Sequence, residues 1–306
     1  MKHIPPQQLQ SIRQSADETT IHTPVLLEDT VRLLNPQPGE TYLDLTAGYG
    51  GHARAIVALS GADHATLVDR DEQSIASLTE FSARGATIVR SDFATFAEQQ
   101  QARGVQYDMV LVDLGVSSPQ FDIAERGFSF QHDGPLDMRM DRSSALSADV
   151  IVNRSTEKDL SWILETYGEE RPRQAARIAK AICRARPIRS TSQLATVITS
   201  LHRGPYQRIH PATRTFQAVR IAVNDEVHQI ERMLATIPDI LSPKGRVAII
   251  SFHSLEDRLV KHRFAELSSS GYESELTLLT SKPIRGSTDV HNPRARSALL
   301  RGAVKK

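Results

Sequence analysis

Short apolar runs alternate with stretches of helical periodicity over the first 113 residues of this 306-residue chain. Runs near 41–45, 65–69, 86–90 and 107–113 have the length of buried strands, and turn residues bound them. Between them, 51–59, 71–83 and 92–103 read as helices, and Leu26 to Leu34 predicts a short helix ended by Asn35-Pro36. Such alternation predicts a parallel sheet covered by helices on both faces. The rhythm stops after Asp113, and the next strand pattern is Gly245–Phe252. The interval is helical. Leu160, Ile163, Leu164 and Tyr167 follow a capping-box pattern at Thr156-x-x-Asp159. A helix over about 172–185 places Ala175, Ile178, Ala179 and Ile182 on one face, and a third starts at Thr191. One long helix is expected from about Ala212 to Ile237. Leu241-Ser-Pro-Lys-Gly245 reads as a turn, 255–267 as a helix, and 275–280 and 297–301 as the last of seven strands. The expected organisation is a loosely ordered extension (1–20), a sheet domain (21–119 and 211–306) and a helical insertion (120–210).

Ligands of such sheets bind at the carboxyl ends of the strands. Asp44, Asp69, Ser91-Asp92-Phe93 and Asp113 all fall there. Leu43 to His52 forms the centre of that rim: a strand end, a glycine turn and the start of a helix. Gly48, Gly50 and Gly51 are expected to let the backbone turn sharply and approach a ligand, with the free N–H groups of the following helix directed at it. Gly48-x-Gly50-x-x-Ala53 fits the dinucleotide fingerprint, with Asp69 near the spacing of a ribose-binding acid. A pyrophosphate is repelled by a carboxylate such as Asp44, whereas a cofactor with a cationic amine and a sulfonium is attracted. The pattern therefore points to S-adenosylmethionine rather than NAD. Asp44 would face the methionine amine and Asp69 the ribose hydroxyls.

Charge changes the picture of the insertion. The chain holds 37 basic and 36 acidic residues, a net charge of +1 that names no partner. The average hides segregation: from Arg171 to Arg220 there is no acid, against eleven cations of which ten are arginine. Arginine pairs bidentately with phosphate and stacks on bases, so the segment predicts a nucleic-acid surface, with Arg173, Arg177, Lys180, Arg184, Arg214 and Arg220 as candidates. Aromatic interleaving is thin (Tyr206, Phe216), which disfavours non-specific binding on stacking platforms. One cysteine, Cys183, excludes an intramolecular disulfide framework and a cysteine-rich zinc site, and fits a reducing cytoplasm. No apolar run approaches the roughly 20 residues needed to span a bilayer, and the N-terminus has no signal-peptide core.

The loop after the fourth strand, Asp113-Leu-Gly-Val-Ser-Ser-Pro-Gln-Phe121, stands where amino-group methyltransferases hold their target. An exocyclic base amine is a poor nucleophile because its lone pair is delocalised. Acceptors for its N–H hydrogens, together with stacking, counter that. Asp113, Ser117, Ser118, Pro119 and Phe121 are the candidate catalytic residues, in a longer version of the familiar Asp/Asn-Pro-Pro-aromatic motif. With a reactive methyl donor, in-line positioning supplies most of the rate, and no metal is required. The residues alone leave other acceptors open, DNA or protein, as well as a non-catalytic nucleic-acid-binding protein regulated by the cofactor.

His22-Thr-Pro-Val-Leu-Leu27, Gly50-Gly-His52, Asp113 to Gln120, Glu125-Arg-Gly-Phe-Ser-Phe130 and Asp133 to Met140 resemble segments of the bacterial small-subunit rRNA cytosine-N4 methyltransferases. Tyr167 to Arg171, His210 to Arg220, Ser251 to Arg258 and Asn292 to Ser297 do so too. The resemblance implies a class I S-adenosylmethionine-dependent methyltransferase fold, α/β with a Rossmann-like seven-stranded sheet and an inserted all-helical domain. It implies methylation of a cytidine N4 in the decoding region of 16S rRNA within the small ribosomal subunit. It also implies cofactor contacts at Gly50, Gly51, His52, Asp69, Phe93, Asp113 and Gln120. Three features stay open: His253 as a structural or a catalytic group, 133–140 as a loop over the cofactor or a substrate contact, and Arg294, Arg296 and Arg301 as phosphate ligands or solvated charges.

Overall fold

The computed structural model describes residues 24–202, 210–269, 271, 274–288 and 292–306, with the side chains of Ser118, Pro119, Thr288, Pro293 and Arg294 outside that description. The expected N-terminal extension lies outside the described residues. The chain divides into two compact units, one of residues 1–115 and 228–306 and one of residues 116–227.

The first unit is built on strands β1 (Tyr42–Asp44), β2 (Ala65–Asp69), β3 (Thr87–Arg90), β4 (Tyr107–Asp113), β5 (Leu241–Ser251), β6 (Leu276–Leu278), β7 (Ile284–Arg285) and β8 (Leu299–Lys305). Their order is β3-β2-β1-β4-β5-β8-β6, with β7 paired on β8. The first five pair in parallel, and β8 runs antiparallel between β5 and β6. Seven of these eight strands make the class I methyltransferase sheet that the strand pattern and the resemblance predict. The two-residue β7 was not expected, since a pair of residues carries no periodicity. The segment expected as a turn before the fifth strand belongs to β5: pairing with β4 jumps from Tyr107↔Leu241 to Met109↔Arg246, so the extra residues bulge within the strand.

Alternation within the strands divides the core of this unit. Tyr42, Leu67, Met109, Leu111, Ala248 and Ile250 enter one apolar cluster with helices Leu27–Leu34 and Gly51–Ser60. Leu43, Val68, Val110, Val112, Val247 and Ile249 enter a second, with helices Phe93–Arg103, Glu226–Ile240 and Ser254–Ser269. Successive strand residues point to opposite faces, and both faces of a parallel sheet are buried. The strand order reverses between β1 and β4, which is where a doubly wound sheet opens a crevice.

The second unit is helical, with Ala148–Arg154, Glu157–Thr166, Pro172–Ala185, Thr191–Thr199 and Thr213–Asn224 around a third apolar cluster. Ser147, Thr156 and Ser190 cap three of these helices through their side chains. The single long helix expected from Ala212 is two helices. Asp225, at φ 51°, ends Thr213–Asn224, and Glu226–Ile240 follows. Phe216, Ala218, Val219 and Val223 of the first bury into the helical unit, whereas Ile230, Met233, Leu234 and Ile237 of the second bury into the sheet unit. The chain therefore returns to the sheet near residue 228, later than the expected 211.

Residues 133–140 are part of the second unit's core, where Leu136, Met138 and Met140 are buried. Two polar side chains fix them. Asn224 accepts from Met140 N at 2.9 Å and donates to Met138 O at 2.8 Å. The buried Arg126 donates to the carbonyls of Arg139 and Met140 at 3.0 and 3.2 Å. Asn224→Ala strands a buried donor and acceptor, and is expected to cost about 2–4 kcal/mol. Urea unfolding followed by far-UV circular dichroism checks this; a midpoint within error of the wild type would refute it.

Candidate active site at the carboxyl ends of the strands

β1 ends on Asp44, 1% exposed. Its Oδ2 accepts from Tyr42 Oη at 2.7 Å, and its Oδ1 from Thr46 N at 3.1 Å. Burial raises the carboxyl's pKa to about 7, even though both hydrogen bonds favour the anion. The neighbouring charge of Asp69 pushes the same way. Asp69, at the end of β2, accepts from Gly48 N and Asp71 N, each at 2.8 Å, and burial raises its pKa too. Asp69 thus ties the glycine turn to the second strand. Each of its oxygens keeps one lone-pair direction for a ligand.

The glycines serve two purposes, only one of which was anticipated. Gly48 has φ 53°, and a Cβ there would meet nothing closer than 3.9 Å, so the turn is open at that point. Gly50, at φ 77°, has no room on the protein side: a Cβ would lie 2.5 Å from the Phe81 ring. At Gly51 it would lie 2.6 Å from Pro24 Cγ. Packing accounts for the last two glycines without a ligand.

Asp113 closes β4, its backbone N–H donating to Thr46 Oγ1 at 2.6 Å. Its Oδ2 lies 3.7 Å from His52 Nε2, and its Oδ1 has no hydrogen-bond partner among the described residues. Burial, with the negative charges of Asp44 and Glu256, holds its pKa well above the carboxylate range. Burial holds His52 down to about 4, so it is neutral near pH 7 and does not neutralise Asp113. Phe93 opens helix Phe93–Arg103, whose first turn Asp92 caps by accepting from Thr95 N at 2.8 Å.

Tyr42 and Glu256 were missed as members of this group. Tyr42 shares a strand face with Asp44 by the two-residue alternation, a signal present in the sequence. Glu256, 1% exposed, accepts from Phe252 N at 2.7 Å and lies 3.0 Å from His253 Nε2. His253 Nδ1 accepts from Glu256 N at 3.4 Å in the turn that starts helix Ser254–Ser269. Arg301 pairs with Asp257 at 2.7 and 3.0 Å and is no free phosphate ligand, while Arg296 is exposed.

Ser117, Gln120 and Phe121 lie in the second unit. Gln120 is buried, and its Oε1 accepts from Ser117 N at 3.0 Å. Phe121 is 38% exposed. The side chains of Ser118 and Pro119 lie outside the described residues.

Of the cations singled out in the insertion, Arg173, Arg177, Lys180 and Arg184 are exposed on helix Pro172–Ala185. Arg214 is also exposed, and donates to Glu169 O at 3.3 Å. Arg220 requires correction as a nucleic-acid ligand. Its guanidinium is bidentate to Glu226 at 2.9 and 2.8 Å, with only 12% of the side chain exposed. An acid-free stretch of sequence is not acid-free in space. Arg186 likewise turns inward, onto the carbonyls of Val152 and Ser155.

Residues 19–306 match the model of the MraW methylase family. A Synechocystis protein named ribosomal RNA small subunit methyltransferase H is 46% identical over 308 residues, covering 96% of this chain and 97% of its own. A Symbiobacterium thermophilum protein of the same name is 44% identical over 309 residues, covering 93% and 96%. A third, from Koribacter versatilis, is 43% identical over 300 residues, covering 93% and 94%.

Proposed function

This chain belongs to the MraW methylase family, and we propose that it transfers a methyl group from S-adenosylmethionine to the N4 amine of a cytidine in the decoding region of 16S rRNA, in the assembled small subunit. The relatives' name supports the ribosomal RNA substrate. The observation that carries the chemistry is the group of acids, buried Asp44 with part-buried Asp69 and Asp113, around an open glycine turn at the sheet's switch point.

These residues fit the cofactor. Uncompensated carboxylates in a low-dielectric rim favour a cationic ligand and disfavour a pyrophosphate. S-adenosylmethionine supplies, when bound, a methyl group made electrophilic by its sulfonium. Asp44 would hold the amine and Asp69 the ribose hydroxyls, with Gly48, Gly50, Gly51, His52, Phe93, Asp113 and Gln120 as the remaining contacts. Asp113 Oδ1, which lacks a partner among the described residues, would accept an N–H of the cytosine amine and orient its nitrogen. A carboxylate whose proton affinity is raised is also suited to take the proton that the methylated nitrogen must lose. Ser117, Ser118, Pro119 and Phe121 would position the base, Phe121 by stacking.

The test is transfer of labelled methyl from S-adenosylmethionine to naked 16S rRNA, undermodified small subunits, duplex DNA and a protein extract in parallel, followed by nucleoside analysis. N4-methylcytidine from the subunits is expected. Label in DNA or protein alone would overturn the substrate. Cofactor binding without any label would favour a regulatory binding protein.

A further inference from the structure

Within the second unit, helices Pro172–Ala185 and Thr191–Thr199 border an open groove of about 490 Å³. Arg177, Lys180 and Arg184 line it, and Ala181, Val197 and Leu201 give it an aliphatic floor. The three cations stand at i, i+3 and i+7, so they share one helix face. At about 1.5 Å rise per residue they are staggered by about 4.5 and 6 Å along the axis. Like charges at this spacing repel one another. No carboxylate among the described residues pairs with any of the three. Arg177 is nevertheless held in place, donating to the Leu201 carbonyl. A self-repelling row, anchored at Arg177, above an apolar floor is arranged for an occupant that brings both anions and apolar surface.

We propose that this groove seats an unpaired stretch of the RNA substrate, with successive phosphates on Arg177, Lys180 and Arg184 and the nucleoside faces against the aliphatic floor. The inference rests on the ribosomal RNA methyltransferase reading and adds where, and in what form, the strand is held. A duplex hides its base faces and would leave the floor unmatched, whereas an unpaired strand exposes them. The volume suits one or two nucleotides. Guanidinium forks match phosphate and carboxylate oxygens alike, so the choice of an RNA strand over an acidic peptide follows from the ribosomal RNA methyltransferase reading. With no aromatic side chain among its described lining residues, the groove would hold the strand by charge and burial with little base selectivity.

The decisive comparison is wild type against Arg177→Gln/Lys180→Gln/Arg184→Gln, with Ala181→Glu as a single change in the floor. Binding of labelled single-stranded and duplex RNA of equal length is followed by fluorescence anisotropy from 50 to 400 mM salt (roughly the range over which counterion release is resolved). S-adenosylmethionine binding and circular dichroism verify the fold. The triple variant is expected to bind the single strand at least about tenfold more weakly, and the slope of log affinity against log salt should shrink by about 2. Duplex binding should change less, and Ala181→Glu should weaken the single strand selectively. An unchanged slope, or equal losses for strand and duplex, would overturn the groove while methyl transfer by wild type still upheld the parent reading. Displacement of the strand by polyglutamate at matched charge would overturn it in favour of an acidic peptide. Failure of wild type to methylate any RNA would overturn both.

Discussion

Asp113→Ala is expected to bind RNA as the wild type does and, at saturating S-adenosylmethionine, to transfer methyl to undermodified small subunits about 10²–10⁴-fold more slowly. The expectation follows from one unpartnered oxygen. Asp113 Oδ1 has no hydrogen-bond partner among the described residues, and the backbone N–H of the same residue is fixed on Thr46. An acceptor so placed costs little reorganisation when an amine N–H arrives. Burial and the charges of Asp44 and Glu256 raise the carboxyl's pKa in the free protein. Its acceptor power therefore grows as pH rises, and single-turnover rates should climb with pH until a bound cationic cofactor has drawn the proton off. Asp113→Asn keeps an acceptor oxygen but has no proton to lose, so it should be intermediate in rate and flat across the same range. A wild-type single-turnover rate in Asp113→Ala would remove the residue from the chemistry. Equal rates in the alanine and asparagine variants would instead mean that charge, not acceptance, is what Asp113 supplies.

How much of this site was legible in the sequence depends on how local each cause is. Asp44, Asp69 and Asp113 are strand-end residues, and strand ends can be read from short apolar runs whose closing residue is polar; all three stand where the pattern placed them. The reason for Gly50 was not legible, because Phe81 approaches from thirty-one residues away. Arg220 was read as a free cation for a related reason. The acid that neutralises it, Glu226, lies just beyond the acid-free stretch, and a turn at Asp225 with positive φ brings the two side chains together. The same turn ended the helix that periodicity carried straight on, since apolar spacing continues on both sides of the break. Its partner Asn224 reads as an ordinary helix residue, yet its side chain fastens Met138 and Met140 more than eighty residues earlier. Helix Pro172–Ala185 has the predicted bounds, because its stop is written locally at Arg186-Pro187.

Asp44→Asn is expected to stabilise the cofactor-free protein at pH 8 while weakening S-adenosylmethionine binding by about 10- to 100-fold, the range of a lost charge-assisted hydrogen bond. In the free protein the carboxyl titrates at about 7, against about 3.9 for an unfolded aspartate. Between those values the native state holds a proton that the unfolded state has released. Raising the pH through this window therefore costs stability, by an amount on the order of 4 kcal/mol for complete ionisation. Asparagine removes that cost and can still bond both Tyr42 Oη and Thr46 N. A cationic amine acts in the opposite sense by favouring the anion, so binding below pH 7 must expel a proton. Affinity should fall about tenfold per pH unit below 7, as long as the bound carboxyl stays ionised, and level off above it. Calorimetric titrations at pH 5.5, 6.5 and 7.5, each in two buffers of different ionisation enthalpy, count the protons released. About one is expected at the lowest pH and fewer at the highest, with none from this site in Asp44→Asn. Wild type that binds equally well at all three values, or an asparagine variant that keeps the wild-type proton count, would show that Asp44 does not face the amine. The stability of the cofactor-free proteins at pH 8 is an independent check, because the buried charge should destabilise the fold whatever ligand the site holds.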